Sequence, residues 1–380
     1  MRITALLSAL LALATAALAV ETAEHPILKL GSPAPDFSLP GIDGRTYSLK
    51  DFADAKVLVI VFTAVHCPTA QAYEGRIKQL VTDYKSKGVA IVAINPNNPD
   101  GVRLDELSYS DLDDTFESMK TRAADRAFNF PFLDDGPAEV TARAYGPQAT
   151  PHVFIFDAER KLRFQGRIDD SEREELVKNR DTRNAIDALL AGREPAVTQT
   201  MVFGCSTKWA EKAAGNRRWL EQMHAQPVTV APADAAALAE IRANKGSGKV
   251  RLINVWATWC GPCVAEFDQL VETSLIFHYR DFEMVTVAAE FPDQQAKVLK
   301  FLQQHHAATR NVIFGDTDKY KLMAALDPEW GGPLPHTLVV GPDGTVLYRQ
   351  TGELDFLKLR RALVPALNRI TPWGGLSPIK

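Results

Sequence analysis

The segment INVWATWCGPCVAEF, residues 253–267, decides the fold of this chain. It overlaps a longer apolar run, Val250–Cys260, whose β-rich composition predicts a buried strand. The apolar residues that recur at helical spacing after this run are Phe267, Leu270, Val271 and Leu275. The predicted strand and helix meet at Cys260-Gly261-Pro262-Cys263, and a CxxC motif in that position is typical of a thiol–disulfide redox site.

The chemistry of disulfide exchange explains why these two cysteines stand at the start of a helix. Unpaired backbone N–H groups and the helix dipole favour negative charge there, so the thiolate of Cys260, the attacking species, is stabilised. Cys263 follows one helical turn later and can resolve a mixed disulfide, while Pro262 is tolerated in the first turn. A zinc site is disfavoured, because there is no second CxxC and no paired histidine nearby. A purely structural disulfide is disfavoured too, since so short a loop constrains the unfolded chain little.

The same order of elements occurs earlier in the chain. Val57–Cys67 is another apolar run that ends in a cysteine and precedes a helical pattern. Each half then offers a second strand, at Val89–Ile94 and at Met284–Ala289, and later a Pro-His pair that opens a β-hairpin. The final helices are expected at about residues 172–190 and 356–367, and the Pro-His pairs are Pro151-His152 and Pro335-His336. The repeat predicts an α/β protein with two copies of a mixed sheet flanked by helices.

The repeat also sets the expected domain bounds. We expect a first domain over residues 30–205, a linker over 206–227 and a second domain over 228–370. The polar stretch Asn95–Asp114, which carries NPNNPDG, is expected to be a surface insertion in the first unit.

The first twenty residues, MRITALLSALLALATAALAV, resemble a secretory signal. Arg2 supplies a positive start, an apolar stretch follows, and Ala17-Leu18-Ala19 fits the small-x-small cleavage rule. Residues 1–19 are therefore expected to be a signal peptide, with an uncleaved anchor helix as the alternative. The mature protein is expected to be exported to a periplasmic or other extracytoplasmic compartment, where disulfides persist.

Composition narrows the classes of function. The chain has 380 residues, a formal net charge of −4 and only four cysteines. Its charge gives no electrostatic reason to expect nucleic acid or an anionic membrane as a partner. Four cysteines are too few for a disulfide-stapled scaffold of this length, so their role is expected to be chemical.

Residues 253–267 resemble the exported, TlpA/ResA-like branch of the thioredoxin superfamily. The resemblance covers about residues 228–367 and implies that Pro335 is the cis-proline facing the redox disulfide and positioning the substrate backbone. Trp259 is expected to shield the disulfide and contact substrates. Thioredoxins usually carry a buried Asp six residues before the first cysteine, where this chain has Asn254. Glu290 and Glu266 are the candidates to replace its proton-transfer role, the alternative for each being a solvated surface carboxylate.

The first unit resembles the redoxin/AhpC-TSA, or peroxiredoxin-like, family over about residues 30–190. The resemblance rests on three segments: LGSPAPDFSLPGIDGRTYSLKDF, FTAVHCPTAQAYE and the strand after Pro151. Peroxiredoxins usually place a Thr or Ser three residues before their reactive cysteine, a Pro seven residues before it and an Arg that polarises the peroxide. In this chain Ala64, Ile60 and Pro151 stand at those positions, so all three are missing. Cys67 remains a thiol at a helix start beside His66, whose imidazolium would favour thiolate.

Cys67 has one candidate partner outside the CxxC motif, Cys205 in VFGCSTKW. A disulfide between them is one possibility. Two separate thiols, or a buried inert Cys67 in a docking domain, are the alternatives. His66, Cys67, Cys205 and Pro151 thus form a second candidate redox site.

The sequence favours an exported thiol–disulfide oxidoreductase that acts through Cys260 and Cys263. It needs no cofactor beyond the redox-active disulfide and no metal, takes protein disulfides or dithiols as partners, and depends on a membrane electron donor for reducing power. It has no role for nucleic acid and meets the membrane only through its signal peptide. Two alternatives stay open: a peroxiredoxin-like peroxidase at Cys67 recycled by the second domain, and a docking or metal-chaperone protein.

Overall fold

The computed structural model describes residues 25–374, so the predicted signal peptide lies outside the described residues. Each half of the chain contains one mixed β-sheet with helices packed against it. This confirms the predicted fold class, two tandem thioredoxin-like domains. In the described part of the chain, no helix combines the length and hydropathy needed to cross a membrane.

The first half builds a five-stranded sheet in the order β5-β4-β3-β7-β8. β3 pairs in parallel with β4 and antiparallel with β7, so the sheet is mixed, as predicted. Its elements in chain order are β1 (Ser38–Pro40), β2 (Thr46–Ser48), β3 (Val57–Phe62), α1 (Pro68–Tyr84), β4 (Val89–Asn95), α2 (Phe116–Arg126), β5 (Phe132–Asp134), α3 (Val140–Tyr145), β6 (Ala149–Thr150), β7 (His152–Phe156), β8 (Leu162–Gly166) and α4 (Asp181–Leu190).

The second half builds a six-stranded sheet in the order β10-β13-β12-β11-β14-β15. β11 occupies the position of β3, parallel to β12 and antiparallel to β14. The remaining elements, again in chain order, are β9 (Cys205–Ser206), α5 (Ala213–His224), β10 (Ala231–Ala233), α6 (Ala235–Ala243), β11 (Val250–Trp256), α7 (Gly261–Ile276), β12 (Phe282–Ala288), α8 (Gln295–Gln304), β13 (Arg310–Phe314), α9 (Lys319–Leu326), β14 (His336–Val340), β15 (Val346–Thr351) and α10 (Phe356–Ile370).

The central strands explain the uninterrupted apolar runs of the sequence. Every residue of β3 and of β11 is buried, because helices cover both faces of each sheet. Both strands end beside the residues that begin a helix, α1 after Cys67 and α7 after Cys260. The two cysteines therefore stand at equivalent edges of the two sheets.

The stretch Asn95–Asp114 is not the surface insertion that its composition predicted. Asn97, Asn98, Ser110 and Asp114 are buried, because their polar groups find partners inside the protein. Composition alone could not show these partners, since several of them lie far apart in the sequence, such as Gln71 for Ser110 and Pro137 for Asn98.

The predicted final helix of the first unit begins later than expected. α4 starts at Asp181 rather than near residue 172, and Glu174–Leu176 forms only a short 3-10 turn. The predicted linker, residues 206–227, contains the helix α5.

The two halves pack against each other through the same polar stretch. Leu107 joins the hydrophobic core on one face of the second sheet, together with the half-buried Val102 and Leu104. Arg280 of the second unit donates a hydrogen bond to the backbone oxygen of Ser108 at 2.6 Å and lies over the Tyr109 ring. The first unit therefore supplies part of the core of the second.

Candidate active site

The CxxC motif forms a disulfide at the first turn of α7. Cys260 is the N-cap residue, and its Sγ accepts a hydrogen bond from the backbone N–H of Cys263 at 3.3 Å. Cys260 keeps 6% of its surface exposed, against 1% for Cys263. An incoming thiolate or disulfide therefore reaches Cys260 first, and the N–H that caps it would also stabilise its thiolate.

Pro335 follows a cis peptide bond, as the resemblance implied, and lies just before β14. The pairing of His336 with Val255 puts this proline beside the end of β11, close to the loop that carries Cys260. Leu334 packs against the hydrophobic cluster that contains both cysteines. The backbone before β14 is thus adjacent to the disulfide.

Two exposed apolar side chains flank the disulfide in sequence, and a third follows Glu290, which binds the loop before Cys260. Trp259 is 67% exposed, although it directly follows a buried strand and precedes a buried cysteine. Val264 follows Cys263, and Phe291 follows Glu290; both are also exposed. Large exposed apolar side chains next to a reactive group are typical of a surface that contacts another protein.

Glu290 lies at the end of β12 and is buried, so its alternative as a solvated carboxylate is wrong. Its Oε1 accepts hydrogen bonds from the backbone N–H of Thr258 at 2.6 Å and from the Thr258 hydroxyl at 2.5 Å. These contacts hold the loop between β11 and Cys260. The carboxylate therefore fixes the position of the loop that presents the redox cysteines.

Glu266 is also buried, which corrects the surface alternative for this residue as well. It lies one helical turn after Cys263, its Oε2 accepts the N–H of Leu354 at 2.9 Å, and its Oε1 has no partner among the described residues. Burial raises the pKa of Glu266 to about 7.

Asn254 stands where thioredoxins carry their buried Asp, and it contributes to the environment of the Glu266 carboxyl. The Nδ2 of Asn254 donates to the Thr337 hydroxyl at 3.0 Å. The Glu266 carboxyl, whose pKa lies near neutral pH, is thus a neighbour of Asn254, which stands where thioredoxins carry the buried Asp. Burial therefore brings the pKa of Glu266 into the range in which a general base works near neutral pH.

The first unit has the same helix start without the second cysteine. Cys67 is the N-cap residue of α1, and its Sγ accepts the backbone N–H of Ala70 at 3.3 Å, the distance found between Cys260 and Cys263. Pro151, like Pro335, follows a cis peptide bond. Cys67 differs from Cys260 in being fully buried.

His66 lies in a buried ion pair that the sequence did not reveal. Its Nδ1 is 2.6 Å from Oδ2 of Asp114, and the other oxygen of Asp114 accepts the N–H groups of Val65 and His66. Burial acts to lower the pKa of His66, but the Asp114 carboxylate outweighs burial and raises it. Asp114 stands 48 residues from His66, in a stretch without a recognisable motif, so no sequence signal marked it.

The surroundings of Cys67 favour its thiolate. Burial acts to raise the pKa of Cys67, but hydrogen bonding with the Cys205 thiol and the charge of His66 outweigh it and lower that pKa to about 6. The same contact raises the pKa of Cys205. The structure brings His66, Cys67, Cys205 and Pro151 together, as the sequence suggested, with the two cysteines as free thiols.

The apolar side chains packed with Cys67 are small. Ala64 and Ala70 form the small apolar cluster in which its sulfur lies, and Cys205 covers it. In residues 25–374, no group of three or more His, Cys, Asp and Glu side chains is placed to hold a metal ion.

Comparisons with known proteins agree with the two-unit architecture. Residues 30–165 match the AhpC/TSA family, and residues 225–363 match the Redoxin family. The thiol:disulfide interchange protein CycY of Rhizobium leguminosarum bv. viciae is 33% identical over 123 residues, which cover 32% of this chain and 60% of CycY. The thiol-disulfide oxidoreductase ResA of Bacillus subtilis (strain 168) is 29% identical over 107 residues, covering 28% of this chain and 55% of ResA.

Among solved structures, the hypothetical protein SMc02350 from Sinorhizobium meliloti 1021 is 32% identical and aligns with a TM-score of 0.43, covering 49% of this chain and 97% of that one. This chain spans little more than half the length of the curated relatives that it matches. The two family matches lie one in each half and together cover more than half of the chain. The chain therefore belongs to the thioredoxin superfamily and carries two redoxin domains in tandem.

Proposed function

We propose that this protein is an exported thiol–disulfide oxidoreductase that exchanges disulfides with protein substrates through Cys260 and Cys263. The observation that carries the proposal is the disulfide at the start of α7, with its more exposed sulfur on Cys260 and the cis-proline backbone beside it. The names of CycY and ResA describe the same class of exchange.

The exchange begins with the reduced dithiol. The Cys260 thiolate attacks one sulfur of a substrate disulfide, the substrate S–S bond breaks, and one substrate sulfur leaves as a thiolate. The product is a mixed disulfide between Cys260 and the substrate. The backbone N–H of Cys263 and the N-terminal end of α7 stabilise the negative charge on Cys260 before attack.

Resolution uses the second cysteine. Cys263 attacks Sγ of Cys260, the second substrate sulfur leaves, and the Cys260–Cys263 disulfide forms. Cys263 must lose a proton for this step. Glu266, one turn further along α7 and with a pKa raised by burial to about 7, can accept it.

A polypeptide substrate can bind as an added strand. The backbone next to Pro335 offers hydrogen-bonding groups beside the disulfide, and this mode of recognition is largely independent of the substrate side chains. The exposed Trp259, Val264 and Phe291 supply apolar contact around it. Protein disulfides and dithiols are therefore the proposed partners.

Export, and the source of electrons, complete the proposal. The first twenty residues have the pattern of a secretory signal, and an oxidising compartment would require reducing power from outside it. A membrane-bound electron donor that reduces the Cys260–Cys263 disulfide would supply it. Antioxidant defence and redox homeostasis of the cell envelope are the processes that such an activity would serve.

Trapping tests the proposal and identifies the substrate class. A Cys263→Ser variant attacks substrates but cannot resolve the mixed disulfide, so covalent adducts should accumulate at Cys260 and disappear on treatment with dithiothreitol. Insulin reduction by dithiothreitol measures turnover of the same site. In a background that carries Cys67→Ser and Cys205→Ser, Cys260→Ser should abolish both readouts, and adducts or insulin turnover that persist there would refute the assignment.

A further inference from the structure

The segment Phe203–Lys208 occupies the strand position beside Pro151. Its central part, β9, pairs antiparallel with β6, with Cys205 opposite Thr150 and Ser206 opposite Ala149. The N–H of Thr207 continues the ladder to the oxygen of Gln148 at 3.2 Å. Thr150 directly precedes the cis-proline, so the chain itself fills the place that our proposal for the second domain gives to a substrate strand.

A glycine allows this close approach. Gly204 has φ +142, and a Cβ there would lie 2.1 Å from the backbone oxygen of Thr150. Any other residue would therefore clash with backbone atoms and push the segment away. The fit depends on Gly204 in the same way that close contact between a bound peptide and a binding groove depends on small residues.

The segment is anchored on its far side as well. Lys208 exchanges backbone and side-chain hydrogen bonds with the Asn97–Asn98 turn, its N–H donating to Oδ1 of Asn97 at 2.9 Å and its oxygen accepting from Asn98 at 2.7 Å. Its ammonium group pairs with Glu106. Thr207 and Lys208 are almost completely buried, so the segment is an integral part of the first unit.

The pairing of β9 with β6 places the Cys205 side chain against that of Cys67. Cys205 packs against the cluster of Cys67, Ala64 and Ala70, so the two thiols belong to one small apolar cluster. Cys67 is fully buried, whereas Cys205 is partly exposed. Cys205, on the strand, is therefore the more exposed residue of the pair, and Cys67 lies buried at the helix start.

We propose that Cys67 and Cys205 are a second dithiol–disulfide redox pair, in which the segment Phe203–Lys208 acts as a built-in substrate strand and external thiols exchange through Cys205. In the oxidised pair, a thiolate of an external dithiol attacks Sγ of Cys205, the Cys67–Cys205 bond breaks, and Cys67 leaves as the thiolate. The second thiolate of the dithiol then attacks its own mixed disulfide and releases Cys205, which takes up a proton. Two electrons pass from the external dithiol to the pair, and the dithiol ends as a disulfide.

The Cys67–Cys205 pair is tested in the full chain with Cys260→Ser and Cys263→Ser, which leaves these two cysteines as its only thiols. This protein is equilibrated with mixtures of reduced and oxidised glutathione, quenched with acid and alkylated under denaturing conditions, and its intact mass counts the free thiols. Each molecule is expected to carry either two alkyl groups or none. In the molecules that carry none, peptide mapping should find a disulfide between Cys67 and Cys205. Two alkyl groups at every glutathione ratio, or a disulfide-linked dimer, would overturn the proposal.

Two further variants test the role of the strand. Gly204→Ala on the same background should lower the equilibrium constant for pair formation about tenfold or more, since the docked strand sets the effective concentration of Cys205. Gly192→Ala is the control, because Gly192 also has a positive φ but nothing within 4 Å of its Cβ position. An equal effect of the two substitutions would show that the strand does not bring the thiols together.

The point of entry is tested with glutathione alone. On the same background, oxidised glutathione should form a mixed disulfide with Cys205 in a Cys67→Ser variant at least about tenfold faster than with Cys67 in a Cys205→Ser variant, since access limits exchange. Faster reaction at Cys67 would overturn the entry through Cys205.

Discussion

At Glu266, burial places the pKa of a carboxyl near the pH at which thiols exchange. In wild-type protein, the resolving step should speed up as pH rises through about 7, because ionised Glu266 accepts the proton of Cys263. Glu266→Gln should lose this rise and slow turnover about ten- to a hundredfold near neutral pH. Insulin reduction measured against pH checks this prediction.

Glu272, on the same helix, is the matched control for that measurement. Its side chain is 44% exposed and pairs with Arg360. Glu272→Gln should therefore keep the wild-type pH profile. If both variants showed the same profile, Glu266 would not be the proton acceptor.

The raised pKa of Glu266 also has a consequence for stability. Below pH 4.5 the carboxyl is protonated in the folded and unfolded protein alike, but above that pH the unfolded chain ionises first, so stability falls as pH rises through the folded pKa of about 7. Glu266→Gln removes this loss. Urea denaturation should find the variant stabilised relative to wild type by about 1–3 kcal/mol more at pH 8 than at pH 4.5, and an equal difference at both pH values would contradict the shift.

Asp114 controls the charge beside Cys67. Asp114→Asn should lower the pKa of His66 and thereby raise that of Cys67 from about 6 by about one unit or more. The ultraviolet absorbance of the thiolate, followed against pH in the Cys260→Ser/Cys263→Ser background, measures the change. Asp113→Asn is the control, since Asp113 binds Thr115 and Ser118 instead of His66; an equal shift there would show a general effect of lost charge.

The sequence singled out the cysteines and the two prolines of the Pro-His pairs through a local motif and a repeat, and the family resemblance implied a cis bond at Pro335 only; the cis bond at Pro151 was not predicted. It offered Glu290 and Glu266 without showing that either is buried, since the distance from a cysteine along the chain says nothing about burial. Asp114 was missed altogether. Its partnership with His66 depends on how a long polar stretch folds back over the helix start, which local patterns do not encode.

At the scale of elements, the loop between β11 and α7 is held by a single carboxylate. Glu290→Ala removes the oxygen that accepts both hydrogen bonds of Thr258 and should lower the free energy of unfolding by about 1–3 kcal/mol, because a buried N–H loses its partner. Thr258→Val, which removes only the hydroxyl hydrogen bond, should cost less. Chemical denaturation of the two variants decides, and a larger loss in Thr258→Val would contradict this account.

The long elements followed from apolar patterning, and the short ones did not. β3, β11 and the helices after them were predicted, because each combines a long apolar period with a cysteine at the junction. β5, β10 and β13 have three to five residues each, too few for a period to be read. β9 has only two residues and exists because Thr150 lies opposite Cys205, a pairing far apart in the chain.

At the scale of the whole molecule, Leu107 connects the two units. Leu107→Ala should destabilise the protein by about 2–5 kcal/mol and speed hydrogen exchange in β11 and β12, since the residue belongs to the core of the second sheet. Leu112→Ala is the control, because Leu112 is equally buried but lies in the core of the first unit. If Leu107→Ala left exchange in β11 and β12 unchanged, the shared core would not couple the units.

The tandem repeat was visible in the sequence, but the contact between its copies was not. The repeat predicted two sheets and the order of their elements. The contact uses Leu107, Ser108 and Tyr109, which stand in the stretch that composition assigned to the surface. An apolar residue inside a polar stretch can be recognised as buried only when its partner surface is known.

The position of Cys205 has a kinetic consequence. In the second domain, both sulfurs belong to one helix turn, so their meeting is fixed by covalent geometry and needs no search. In the first domain, the sulfur of Cys205 stands on the strand β9. The fraction of time for which this strand is docked sets how fast Cys67 and Cys205 can form their disulfide. The hydrogen bonds and the ion pair of Lys208 hold that strand, so they set how long it stays docked and how fast the Cys67–Cys205 pair closes.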